Sequence, residues 1–145
     1  MSISVFVCDS SGPRRARAMG LIRAQADMQL VGDSDRAADC LSAIANLKPD
    51  IALLDLDVPR PDSQQWFAAM RNQSPHTKVI VMIRQDSEER VIESLSFGAL
   101  GWLTNRRLAS HLPQAIRKVH GGEVWLPRRL ASQVLERVLQ LSSLS

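Results

Sequence analysis

The stretch IALLDLDVP, residues 51–59, decides how this chain reads. Four apolar residues, Ile51 to Leu54, run without alternation into Asp55, and Pro59 follows four positions later. A short apolar run of this kind reads as a strand buried on both faces, as in a parallel sheet. An acid at the carboxyl end of such a strand sits where open α/β sheets keep their chemistry. Asp55 is therefore the residue to explain, as a chemical group or as an acid that caps the next loop or helix.

Outward from this stretch, strand and helix signals alternate. Strands are expected at Ile3–Cys8, Leu30–Asp33, Ile51–Asp55, Val79–Ile83 and Leu100–Thr104. Helices are expected at Pro13–Gln25, Asp35–Leu47, Asp62–Arg71, Asp86–Ser96 and Ser110–His120. Asp35, Asp86 and Ser110 are the expected N-caps, and Pro113 falls in the first turn of its helix. Five βα units in succession predict an α/β fold, a doubly wound five-stranded parallel sheet of flavodoxin-like order 2-1-3-4-5. In that order the first and third strands flank the switch point, so Asp9 and Asp55 share a crevice. Two such carboxylates repel unless a cation lies between them. Mg²⁺ is one candidate. Arg84, at the end of the fourth strand, is the other.

Length and composition narrow the class. The 145 residues form one ordinary domain with 45% hydrophobic side chains. No segment approaches the roughly 20 apolar residues of a membrane span, and MSISVFVCDS has no signal-peptide pattern. Cys8 and Cys40 lack metal-ligand spacing, and His76, His111 and His120 read as surface residues. A reduced, cytoplasmic chain without a membrane partner is expected. The net charge is +3, with seven basic residues against two acids over residues 106–145. These basic residues are dispersed and no aromatics interleave them, so they read as solvated helix faces.

The succession LVGDS (30–34), LKPDIALLDLDVP (47–59), SPHTKVIVM (74–82), ESLSFGALGWLTN (93–105) and AIRKVHGGEVWL (115–126) resembles the receiver domain of two-component response regulators of the NarL/FixJ (LuxR-type) family. The resemblance implies that Asp55 stands at the phosphoacceptor position. Asp9 matches the first of the family's two acids after the first strand, and Asp57 the position whose backbone carbonyl joins the metal shell. The metal set it implies is Asp9, Asp55 and Asp57, holding a weak Mg²⁺ or none. Trp102 matches the aromatic residue that swings inward in the switch. The second acid falls on Ser10, the hydroxyl position on Ile83 and the lysine on Asn105. Ser10 is neutral, Ile83 has no donor and Asn105 has no charge. Phosphoryl transfer rests on positioning and charge stabilisation, so these departures predict an atypical receiver.

Residues 1–122 are expected to form the receiver. Residues 123–145 are expected to form a linker helix, with Gly121 and Gly122 marking the break. Its apolar stripe is Leu130, Val134, Leu135, Val138, Leu139 and Leu141. The resemblance implies a helix-turn-helix DNA-binding domain after SSLS, so this sequence reads as a piece of a longer protein, with a stand-alone receiver as the alternative. The expected function is regulatory and non-enzymatic: control of transcription with a histidine kinase as partner, DNA reached through the absent domain, and a homodimer. The alternatives are a phosphorylatable receiver with Asp55 as acceptor, a small-ligand sensor in an Arg84-lined crevice, and Asp9 and Asp55 as a buried pair that orients backbone. A metal-dependent enzyme of similar topology would need more polar groups than Asp9, Asp55 and Asp57 supply.

Overall fold

The computed structural model describes residues 2–84 and 87–143. Five strands, β1 (Ile3–Cys8), β2 (Met28–Ser34), β3 (Ile51–Asp55), β4 (Lys78–Ile83) and β5 (Gly101–Thr104), form one parallel sheet of order β2-β1-β3-β4-β5. Six helices accompany them: α1 (Gly12–Arg23), α2 (Ala37–Leu47), α3 (Ser63–Gln73), α4 (Glu88–Ser96), α5 (Leu108–His120) and α6 (Arg128–Ser143). The unbroken apolar run of β3 is explained by burial on both faces. Ile51 and Leu53 join Val5, Val7, Ile22 and Ile116 under α1 and α5. Ala52 and Leu54 join Phe6, Ile44, Phe67 and Trp102 under α2, α3 and α4. Cys8 and Cys40 are free thiols in this second core.

Helix starts depart from expectation in three places. The cap position of α2 is Arg36, which makes no side-chain capping bond, so Asp35 is not the cap. Asp86 lies outside the described residues, and Ser87 caps α4 by accepting from the Arg90 N–H at 3.3 Å. A 3-10 turn at Asn105–Arg107 starts α5 at Leu108, two residues earlier than expected. Leu108 is fully buried, and burying it fixes the helix start ahead of Ser110. Ser110 instead donates to the Arg107 carbonyl at 3.3 Å, and Pro113 falls inside the helix rather than in its first turn.

The carboxyl-terminal segment is built onto the sheet. Gly122, at φ +95°, makes the left-handed turn after α5. Trp125 then bridges the outer edge of β5: its N–H donates to Leu100 and its carbonyl accepts from Trp102. This covers part of an otherwise open strand edge. Helix α6 lies over α4 with Leu130 and Val134 buried in the β5-side core and Val138 packed against it. The expected single stripe is therefore divided, because Leu135, Leu139 and Leu141 are 60%, 62% and 50% exposed. Among the described residues no helix is long and apolar enough to cross a membrane.

This division sets a contrast in stability. Leu130→Ala is expected to lower the unfolding free energy by about 2–5 kcal/mol, because it opens a cavity under α6. Leu139→Ala should stay within about 0.5 kcal/mol of the parent when both are compared as monomers, at high dilution. Urea unfolding of the two variants checks the docked face.

Candidate functional site

Cys8 pairs with Leu54 across the β1–β3 ladder, so Asp9 and Asp55 leave neighbouring strand ends together. Both are buried, at 0% and 4% exposure. The cation between them is Arg14, from the first turn of α1. Its Nε donates to Asp9 Oδ2 at 2.7 Å and its Nη2 to Asp9 Oδ1 at 2.7 Å. The same Nη2 lies 3.0 Å from Asp55 Oδ2. A planar guanidinium matches a carboxylate with two parallel bonds, which makes this the strong form of a charge-assisted pair.

Local sequence places the arginine. Ser11 caps α1 by accepting from the Arg14 N–H at 3.3 Å, and Pro13 lies in the first turn, where its missing N–H costs nothing. Asp9 Oδ1 also accepts the Ser11 N–H at 2.8 Å. Arg15, one residue on, donates to the Asp9 carbonyl at 2.7 Å and to Asp33 at 3.1 Å.

Asp55 is satisfied on both oxygens. Oδ2 accepts the Ser10 hydroxyl at 2.6 Å and the Ser10 N–H at 3.2 Å. Oδ1 accepts the Asp57 N–H at 3.1 Å. Burial pushes this carboxyl up, but the Ser10 and Asp57 hydrogen bonds and the Arg14 charge outweigh it, so Asp55 titrates below its ordinary range. Pairing with Asp9, opposed by burial, raises Arg14 above its own ordinary value.

The remaining expected residues divide. Ile83 and Arg84 line a cavity of about 170 Å³ beside Asp55 and Asp57. Arg84 is exposed and forms no ion pair with Asp9 or Asp55 among the described residues. The expectation that it supplies the cation is corrected: Arg14 rises directly over the strand ends, while Arg84 follows the end of β4 outward. Asp57 turns its carboxylate to Arg90 at 3.2 Å. The Asn105 Oδ1 is buried without a partner. Trp102 is 1% exposed, and its indole donates to the Ser94 hydroxyl at 2.7 Å. Ser94 in turn donates to the Arg90 carbonyl at 2.7 Å.

The expected metal set, Asp9, Asp55 and Asp57, does not fit a divalent cation. Arg14 occupies both Asp9 oxygens and one of Asp55, and the backbone carbonyl of Asp57 cannot gather the ion without them. No cluster of three metal-ligating side chains occurs among the described residues. Arg14, Arg15, Arg90 and Ser94 were not legible as site residues. For Arg14 a signal exists in the sequence: it falls five positions after Asp9, just past the Ser11-Gly12-Pro13 helix start.

Two outcomes test the pairing. Arg14→Met leaves buried carboxylates without a cation, so it should cost about 3–5 kcal/mol at neutral pH. Urea unfolding should show the deficit shrinking toward pH 4, as the orphaned acids take up protons. Separately, Asp55 binds its proton less tightly folded than unfolded, so its pairing stabilises the chain above about pH 4. That contribution is lost as pH falls through the lowered folded value. Asp55→Asn should therefore flatten this acid limb of a stability–pH profile.

Comparison with known proteins places this geometry. The response regulator receiver domain model matches residues 5–117. The uncharacterized transcriptional regulatory protein YxjL of Bacillus subtilis is 28% identical over 120 residues, 83% of this chain and 55% of that protein. Response regulator GacA of Pseudomonas aeruginosa is 28% identical over 141 residues, 95% of this chain and 64% of that protein. The chain thus spans less than two thirds of either relative. Among solved structures, a LuxR-family two-component response regulator from an Aurantimonas species has a TM-score of 0.84 at 18% identity, covering 96% of this chain and 99% of that one. The isolated REC domain of RcsB from Salmonella enterica serovar Typhimurium, in the apo form, has a TM-score of 0.82 at 16% identity, covering 93% and 99%. With its sheet order, paired strand-end acids and matched residues 5–117, the chain belongs to the response regulator receiver family.

Proposed function

We propose that this receiver regulates transcription without relying on phosphoryl transfer to Asp55. The observation that carries the reading is the Arg14 fork, which pairs with the two acids that would otherwise gather a divalent cation. Ile83, which lines the cavity with Asp55, has no donor, and Asn105 carries no charge. Charge stabilisation is most of what phosphoryl transfer needs from a protein. The inward Trp102, tied to Ser94, supports a domain already held in one arrangement. Its relatives include a transcriptional regulatory protein of greater length. This reading carries a cytoplasmic location and DNA as partner, reached through a helix-turn-helix domain outside these residues; a histidine kinase as partner belongs to the reading in which Asp55 accepts a phosphoryl group.

One observation favours the second reading, in which Asp55 accepts a phosphoryl group: the carboxylate lines the 170 Å³ cavity. Acetyl phosphate with Mg²⁺ and intact-mass measurement separate the two. The expected result is no substantial mass gain in the parent. A rapid, near-stoichiometric gain of one phosphoryl group that vanishes in Asp55→Asn overturns the reading. In Arg14→Met the carboxylates are freed, so millimolar Mg²⁺ should raise the melting temperature of this variant more than that of the parent.

The module is also proposed to self-associate without phosphate, through the outward Leu135, Leu139 and Leu141 of α6. Sedimentation should find a dimer in the micromolar range that Leu135→Glu with Leu139→Glu dissolves. A parent that stays monomeric rules this out, and a dimer untouched by the double change moves the contact to the receiver faces.

A further inference from the structure

A second cavity, of about 520 Å³, lies between β5, the start of α5 and the start of α6. It is large enough for a small organic ligand, and it lies away from the Asp9–Arg14–Asp55 centre, none of whose residues line it. Its chemistry is one-sided. Arg107, Arg128 and His111 line it, and none of its described lining residues is acidic. Arg107 and Arg128 have no ion pair among the described residues. The first turn of the sixteen-residue α6 also borders the cavity through Arg128, so the positive end of that helix adds to the field.

A separate observation comes from the wall. Thr104 lines the cavity and is 7% exposed, yet its Oγ1 has no hydrogen-bond partner. Buried hydroxyls are normally paired, because leaving one unmet costs free energy. An unmet hydroxyl on a wall that also carries two arginines without ion pairs suits an anionic ligand. Trp125, half-buried and 5.9 Å from the His111 ring, supplies an aromatic wall.

We propose that this cavity binds a small anion with an aromatic or apolar body, carrying a carboxylate or a phosphate. Arg107 and Arg128 take the anionic head, the Thr104 hydroxyl donates to it, and the body lies along Trp125. Such a ligand touches β5 and α5 on one side and the first turn of α6 on the other. It therefore ties the tail helix to the receiver, independently of what happens at Asp55.

The test uses the full chain with three probes: phenyl phosphate, phenylacetate and the neutral phenol. Calorimetry and ¹H–¹⁵N spectra should show saturable one-to-one binding of at least one anion, with the Trp125 indole resonance shifting, and no comparable binding of phenol. Which anion binds more tightly identifies the head group. Arg107→Ala with Arg128→Ala should weaken binding by about tenfold or more. Thr104→Val should weaken it several-fold. That variant removes a hydroxyl that makes no bond, so it should fold with no loss of stability, which urea unfolding checks. Asp55→Asn should leave affinity unchanged, separating this site from the acidic centre. No saturable binding of either anion up to about 10 mM overturns the proposal. So does anion binding that survives both the double arginine change and Thr104→Val, or phenol binding as tightly as the anions.

Discussion

The fork of Arg14 on Asp9, reaching across to Asp55, is the contact on which the carboxyl end of the sheet depends. A doubly wound sheet brings the ends of its first and third strands together, and here both ends carry acids in a nearly dry setting. Without a cation the two charges would cost several kcal/mol in desolvation alone. Arginine resolves this differently from a metal ion. It is covalently part of the chain, is always charged, and holds a plane instead of a coordination shell. The same first turn of α1 also holds β2, because Arg15 reaches both the Asp9 carbonyl and Asp33. Three strand ends are thus fixed from one helical turn.

From Asp55 a chain of contacts runs outward. The Asp57 N–H binds Asp55, the Asp57 carboxylate meets Arg90, and the Arg90 carbonyl accepts from Ser94. Ser94 accepts from the indole of Trp102. Each link is an ordinary hydrogen bond or ion pair. Together they connect the buried acids to the aromatic residue on β5 through α4, the helix against which α6 lies. The acidic centre and the tail are therefore two ends of one packed path.

Much of this was legible in the sequence, for physical reasons. The bounds of β1 and β3 coincide with the expected ones, because strands buried on both faces are apolar along nearly all their length; the one polar residue before the end, Ser4 in β1, is met by the Asp50 carboxylate. The sheet order followed from the βα alternation, and the acids at the strand ends from that order. What failed depended on tertiary contact. Leu108 moves the start of α5 because it fills the core, and no local signal at Ser110 competes with that burial. Arg84 stands at a strand end and so reads as the cation, whereas Arg14 reads only as part of a helix start. The direction in which α1 leaves β1 brings Arg14 onto both acids, and that is a tertiary fact. The α6 stripe was visible as amphipathic, but its division into a docked and an outward side is set by the width of α4 and β5, which no periodicity encodes.

The way α6 is seated has a mechanical consequence. Its sixteen residues make a rod of about 24 Å, gripped by Leu130 and Val134 near its start and braced through Trp125 at the sheet edge. A rod held at one end transmits angle as well as distance. Adding or removing a single residue beyond Val138 would turn anything joined to the free end by about 100° while moving it only about 1.5 Å. The tail helix is thus a phase-setting spindle, and the facing direction of a joined segment would be far more sensitive to its length than the reach would be.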